Sequence, residues 1–159
     1  MRWSVVAVVL ALAVLPVKTA FAQGQVFQDI SPNEMAQLMQ QWGYPTEIES
    51  LSDGSQVIRS NARGLNFDVN FFNCGEGKFP RCSDLQWQIA FNIQPAPTVE
   101  SFNQWNTDWR FARAYLYQGQ YSYMEIDLRV TGGVSEATIE EYTRSFETMM
   151  GEFATHVGW

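Results

Sequence analysis

The chain has 159 residues, of which 17 are acidic and 10 basic, for a formal charge of −7, and 46% are hydrophobic. Phosphate backbones and anionic bilayer surfaces repel a chain of this balance, and it has no basic run, so nucleic acid and membrane surfaces are excluded as partners. The length and apolar content suit one domain with one core.

The first residues read as an address. Arg2 and the amino terminus give a positive start, followed by an apolar run from Ser4 to Val17. A bilayer span needs about 20 apolar residues, so this run is short for a permanent anchor. Ala20-Phe21-Ala22 follows with small residues at alternate positions, the pattern of a signal-peptidase site. The expectation is a signal peptide over residues 1–22, a single domain over 23–159, and a periplasmic protein released from the membrane after cleavage. Losing Arg2 and Lys18 leaves eight basic against seventeen acidic residues, a formal charge of −9.

Ser31-Pro32-Asn33-Glu34 has the residues of a helix start: Ser to cap free amides, Pro for the first helical position, and Glu to cap in return. Met35, Leu38, Met39 and Trp42 recur at helical spacing, and Gly43 ends the run. Thr46 to Leu51 reads as a strand, Asp53-Gly54 as a turn and Val57 to Asn61 as a second strand. Beyond Gly64 the period is two, with Leu65, Phe67, Val69 and Phe71 facing one way and Asn66, Asp68 and Asn70 the other.

Cys74 and Cys82 are the only cysteines, flanking a loop with two glycines and a proline. In an exported chain two such thiols form a disulfide, here one that staples a hairpin. A metal site would need ligands the sequence does not supply nearby, since its single histidine is His156. After the loop the alternation resumes, with Leu85, Trp87, Ile89, Phe91 and Ile93 inward and Gln86, Gln88 and Asn92 outward, until Pro95 and Pro97 end it.

Thr98 can cap a second helix with Val99, Phe102, Trp105 and Trp109 on one stripe, read as a core face. From Phe111 the period returns to two. Strand Ala112 to Tyr117, a turn at Gln118-Gly119-Gln120 and strand Tyr121 to Val130 follow, with Met124, Ile126, Leu128 and Val130 inward. Gly132-Gly133 breaks the chain, and Ser135 caps a last helix with Ile139, Tyr142, Thr143, Phe146, Met149, Met150 and Phe153 at helical spacing. The order α-β-β-β-β-α-β-β-α, with antiparallel strands solvated on one side, defines an α+β domain.

Several of these residues together resemble a known family. Asn103-x-Trp105-Asn106, Arg110-Phe111-Ala112-Arg113-Ala114-Tyr115, and Asp127-Leu128 followed by Gly132-Gly133 are similar to the signature of the YbjN family of bacterial sensory-transduction regulators. The likeness extends upstream through Leu38, Gly43-Tyr44, Gly64, Phe71-Phe72-x-Cys74 and Cys82. It implies a fold like that of type III secretion chaperones, small proteins that bind other proteins and often dimerise, with no catalytic residue and no cofactor to carry over. The export signal is a departure from the cytoplasmic members of that family.

Read as chemistry, Arg110, Arg113, Glu125 and Asp127 form a candidate polar site, and Asp127 or Glu125 would serve a carboxylate-based hydrolase. Arg129 shares their face, so the same set describes a charge ladder or cross-strand ion pairs, and Arg110 with Asp127 is the expected pair between helix and sheet. Trp105 and Trp109 read as core, and Asn103 and Asn106 as groups that satisfy backbone near the helix. His156 lies three residues from the end, on a tail expected to fray. The outward register of the last hairpin carries Tyr115, Tyr117, Tyr121 and Tyr123, the candidate interaction surface. The sequence therefore points to a non-enzymatic protein binder with an unidentified protein partner and a second copy of itself as candidate partners. A small-ligand or glycan binder using the surface aromatics is the alternative.

Overall fold

The computed structural model describes residues 24–77 and 80–159. The expected signal peptide over 1–22 and the new terminus at Gln23 lie outside the described residues. In chain order the elements are β1 (Val26–Phe27), α1 (Pro32–Gln41), β2 (Thr46–Ser50), β3 (Gln56–Ala62), β4 (Leu65–Cys74), β5 (Cys82–Asn92), α2 (Val99–Asp108), β6 (Arg113–Tyr117), β7 (Tyr121–Arg129), β8 (Val134–Ser135) and α3 (Glu136–Val157). The three helices and six main strands follow the expected α+β order, and two short strands, β1 and β8, pair with each other outside it.

Local chemistry accounts for the helix ends. The Ser31 N–H and hydroxyl both donate to Glu34 Oε2, while the Glu34 N–H donates to Ser31 Oγ, which closes a reciprocal cap with Pro32 in the first turn. Thr98 and Ser135 accept from the third N–H beyond them at the starts of α2 and α3. Gly158, at φ +80°, ends α3 in the left-handed conformation that a side chain disfavours. His156 therefore belongs to the last turn of a 22-residue helix rather than to a frayed tail. Its Nε2 lies 2.9 Å from the Ser101 carbonyl and ties α3 to α2.

The six-stranded sheet is antiparallel throughout, in the order β2-β3-β4-β5-β7-β6. Its inner face buries Ile58, Phe67, Val69, Leu85, Trp87, Ile89, Met124 and Ile126 against α1 and α3. At about 1.5 Å per residue α3 is roughly 33 Å long, enough to run the length of the sheet. It contributes Ile139, Phe146, Met150 and Phe153, all fully buried. Trp105, 1% exposed, packs edge-on to Phe153 with ring centroids 5.0 Å apart, so the stretch that carries the α2 stripe is core where it meets α3.

Two expectations about that stretch are corrected. Val99 is 61% exposed, because it sits at the first helical position before the α2 stripe turns inward. Trp109 lies beyond the end of α2 and is half-buried, stacked on Trp105 at 4.9 Å with the rings 14° apart.

Cys74 and Cys82 face each other in register at the end of the β4–β5 hairpin and form the expected disulfide. Arg81, beside it, donates to Asp29 and at 2.6 Å to Glu34 Oε2, so the cysteine loop is clamped onto the N-terminal cap of α1. Burial acts to raise the Glu34 carboxyl, but the hydrogen bonds from Arg81 and Ser31 outweigh it and hold the group below its ordinary value. On the other side of the core, Glu147 of α3 accepts from the Tyr44 hydroxyl at 2.7 Å and from Arg63 at 2.8 Å, which joins α1 and the β3–β4 turn to α3.

Candidate functional site

Side chains alternate across a strand, so the residues opposite the core form the outer face of the sheet. No helix among the described residues covers it: α1 and α3 pack on the inner face and α2 lies beside β6. The strand registers bring Glu47, Arg59, Asp68, Gln88, Glu125 and Arg113 into one row across all six strands. Neighbouring rows hold Asn70, Gln86 and Asp127, and Asp84 with Arg129. Most of these groups have partners on the same face. Arg59 bridges Glu49 and Asp68, Gln86 Nε2 donates to Asp127 at 3.0 Å, and Arg129 donates twice to Asp84, at 2.8 and 3.2 Å.

Among the described residues Glu125 is the buried charge on this face, which also buries Val57 and Gln86. It points outward yet is only 1% exposed, because its neighbours close over it. Arg113 pairs with Oε1, while Gln88 Nε2 and the Tyr115 hydroxyl donate to Oε2 at 2.9 and 3.2 Å. A charge removed from water needs this degree of saturation. Burial and then the Glu125 charge push the Tyr115 phenol up to about 12, so it stays protonated and donating.

The tyrosines continue this patch toward the tip of the β6–β7 hairpin. Tyr115 and Tyr123 stack with centroids 5.4 Å apart and planes within 7°, and Tyr117 meets Tyr123 edge-on at 5.8 Å. The Arg113 guanidinium lies 5.9 Å from the Tyr115 ring centroid. Tyr117 is 49% exposed, and Tyr115, Tyr121 and Tyr123 are half-buried. The outcome is a rigid aromatic surface set by cross-strand contacts.

Arg110 does not pair with Asp127. Asp127 stands on the outer face with Gln86, whereas Arg110 lies beside Ile126 and Tyr142 on the inner side, so the sheet separates them. Arg113 takes the role expected of Arg110, toward Glu125 instead of Asp127. Asn103 is exposed on α2, with its backbone carbonyl accepting from Thr107 at 2.8 Å. Asn106 does something more specific. Its Oδ1 accepts from the Ala114 N–H at 2.7 Å and its Nδ2 donates to the Ala114 carbonyl at 2.9 Å. The amide thereby stands in for a neighbouring strand at the free edge of β6.

Phe111 is 81% exposed at φ +70°, a region costly for a side chain with a Cβ. It borders a recess of about 510 Å³ between α3 and the α2–β6 connection, lined also by Trp109, Ile126, Tyr142 and Met149. Sequence reasoning did not find this recess, since its walls come from three elements distant in the chain. The unusual presence of Phe where the chain turns was its one visible sign.

The model of one family matches residues 31–159: YbjN, described as a putative bacterial sensory transduction regulator. No curated protein and no solved structure matches the chain.

Proposed function

This chain belongs to the YbjN family, and from that premise we propose that it is an exported, non-enzymatic protein-binding domain with a chaperone-like or regulatory role, which meets its partner on the outer face of the six-stranded sheet. The observation that carries the reading is the tyrosine patch. Stacked rings held by neighbours lose little conformational freedom on binding, and Tyr supplies apolar area together with a polar tip. The acids that a hydrolase would use argue in the same direction. Glu125 is saturated by three donors and Asp127 accepts from Gln86, so both carboxylates are engaged in contacts across the sheet.

The test is capture from a periplasmic extract with the mature chain and with Tyr117→Ala/Tyr123→Ala. A partner retained by the wild type and lost by the variant is the expected result. No retained partner, or one indifferent to both tyrosines, overturns the proposal. A glycan or small polar ligand is the second reading. It is favoured by a recess of about 600 Å³ on the same face, where the half-exposed Phe72 lies near Gln86, Asp127 and Arg129. A rise in melting temperature with soluble oligosaccharides would support it over a protein partner.

A further inference from the structure

The recess at the α2–β6 corner is not explained by the outer face, from which the sheet separates it. Its lining is graded in exposure: Ile126 and Met149 are buried, Trp109 and Tyr142 half-buried, and Arg110, Phe111 and Glu141 exposed. Apolar and aromatic groups thus form the protected part, and charges stand where water reaches. At about 510 Å³ the space falls within the range of small-molecule sites, which join apolar walls to a few polar groups in the same way.

Arg110 and Glu141 are the charged groups among the described lining residues. They come from different elements, the α2–β6 connection and α3, and among the described residues neither has an ion-pair partner, the other included. At the outer-face recess, by contrast, Arg129 and Asp84 hold each other. A guanidinium suits a carboxylate and a carboxylate suits an ammonium. Opposite charges left apart at one opening therefore match a zwitterion, whereas a ligand of single charge would answer only one of them.

The apolar part selects a ring. Trp109 is fixed by its stacking on Trp105 while it lines the recess, and Tyr142 is set against Trp87 with centroids 6.3 Å apart. The Met149 thioether is of the kind that packs favourably against aromatic rings. Phe111 holds its exposed ring at the border at φ +70°, and backbone strain of this kind collects at ligand sites. A ring that enters beside it takes apolar area of Phe111 out of water.

We propose that the recess binds a free α-amino acid with an aromatic side chain, its ring against Trp109, Tyr142 and Met149, its carboxylate at Arg110 and its ammonium at Glu141. The sheet lies between this site and the tyrosine surface, so the proposal stands or falls independently of the partner placed there.

An amide NMR titration of the mature chain tests it with four probes: L-tryptophan, tryptamine, which lacks the carboxylate, indolepropionate, which lacks the ammonium, and glycine, which lacks the ring. L-Tryptophan should shift the amides of 109–111 and 141–149 with a Kd of about 0.1–1 mM, the range for a ligand of so few atoms. Tryptamine and indolepropionate should each bind about tenfold more weakly, the scale of one hydrogen bond to a charged group. Glycine should leave those amides unmoved. Arg110→Gln should weaken L-tryptophan by about tenfold and leave tryptamine unchanged, while Glu141→Gln should weaken L-tryptophan as much and leave indolepropionate unchanged. Both positions are exposed, so the fold should survive each change, which circular dichroism checks. No shift with L-tryptophan up to about 10 mM, tenfold beyond the weakest affinity expected, overturns the proposal. Shifts confined to residues outside the recess, equal affinity for the three indoles, or variants that weaken all three alike overturn it equally.

Discussion

Replacing Arg113 with Ala tests whether Glu125 is held as a buried charge. The substitution strips Oε1 of its donors while Gln88 and Tyr115 still enclose Oε2. Breaking a buried pair from one side costs about 3–5 kcal/mol. Here the Arg113 side chain is 66% exposed and that of Glu125 only 2%, so water can reach the vacated side and part of the penalty is recovered. A loss of about 2–3 kcal/mol follows, in the range of a hydrogen bond to a charged group. Glu125→Gln removes the charge but keeps an acceptor for Gln88 and Tyr115, and should cost about 1–2 kcal/mol. In the double variant no buried charge is left to strand, so its stability should lie close to that of Glu125→Gln alone. The coupling, about 2 kcal/mol, is read from a double-mutant cycle by urea unfolding at neutral pH, with unchanged m-values as the control. An Arg113→Ala loss below about 0.5 kcal/mol, the size of an exposed surface pair, or strict additivity of the two substitutions, would refute the burial argument.

Three further outcomes are expected. Asn106→Leu strands the N–H and carbonyl of Ala114 at the β6 edge, and at about 0.5–1.5 kcal/mol per lost bond should destabilise the chain by about 1–3 kcal/mol, with faster amide exchange at Ala114 than in wild type. Glu147 is held below its ordinary value by the Tyr44 hydrogen bond and then by Arg63, with burial opposing, so its contribution is present above the unfolded pKa and lost as pH falls through the lowered folded one. Glu147→Gln should therefore be destabilised by about 1–2 kcal/mol at neutral pH, a deficit that shrinks on acidification below about pH 4 in pH-resolved urea melts. Reducing the Cys74–Cys82 disulfide opens a short loop and should lower stability by about 2–3 kcal/mol in the chain-entropy model, measured by melting with and without dithiothreitol.

The element pattern was legible because it is local. A period of two from Leu65 to Phe71 and from Leu85 to Phe91, and a helical stripe from Ile139 to Phe153, each record which side of one segment must leave water. Caps at Ser31, Thr98 and Ser135 were legible for the same reason, since each bonds to a group three residues away. Trp109 and Val99 were misread because periodicity does not say where a helix begins and stops burying its stripe. The β1–β8 pair was missed because two residues on each side carry no period at all.

The candidate site was less legible, and the reason is distance along the chain. That tyrosines would share the outer face of one hairpin follows from alternation, but that Arg113 and not Arg110 meets an acid depends on which side of the sheet the chain enters after α2. From the sequence alone come the α+β class, the cysteine pair, the helix starts and the facing of each strand, because these follow from side-chain chemistry within a few residues. Only the tertiary structure sets β7 between β5 and β6, encloses Glu125 beneath its neighbours, turns Asn106 into a mate for the β6 edge and sets Phe111 at the border of a recess. Those arrangements join segments tens of residues apart, and their energies are fixed by which surfaces pack together in three dimensions, a quantity that no local window contains.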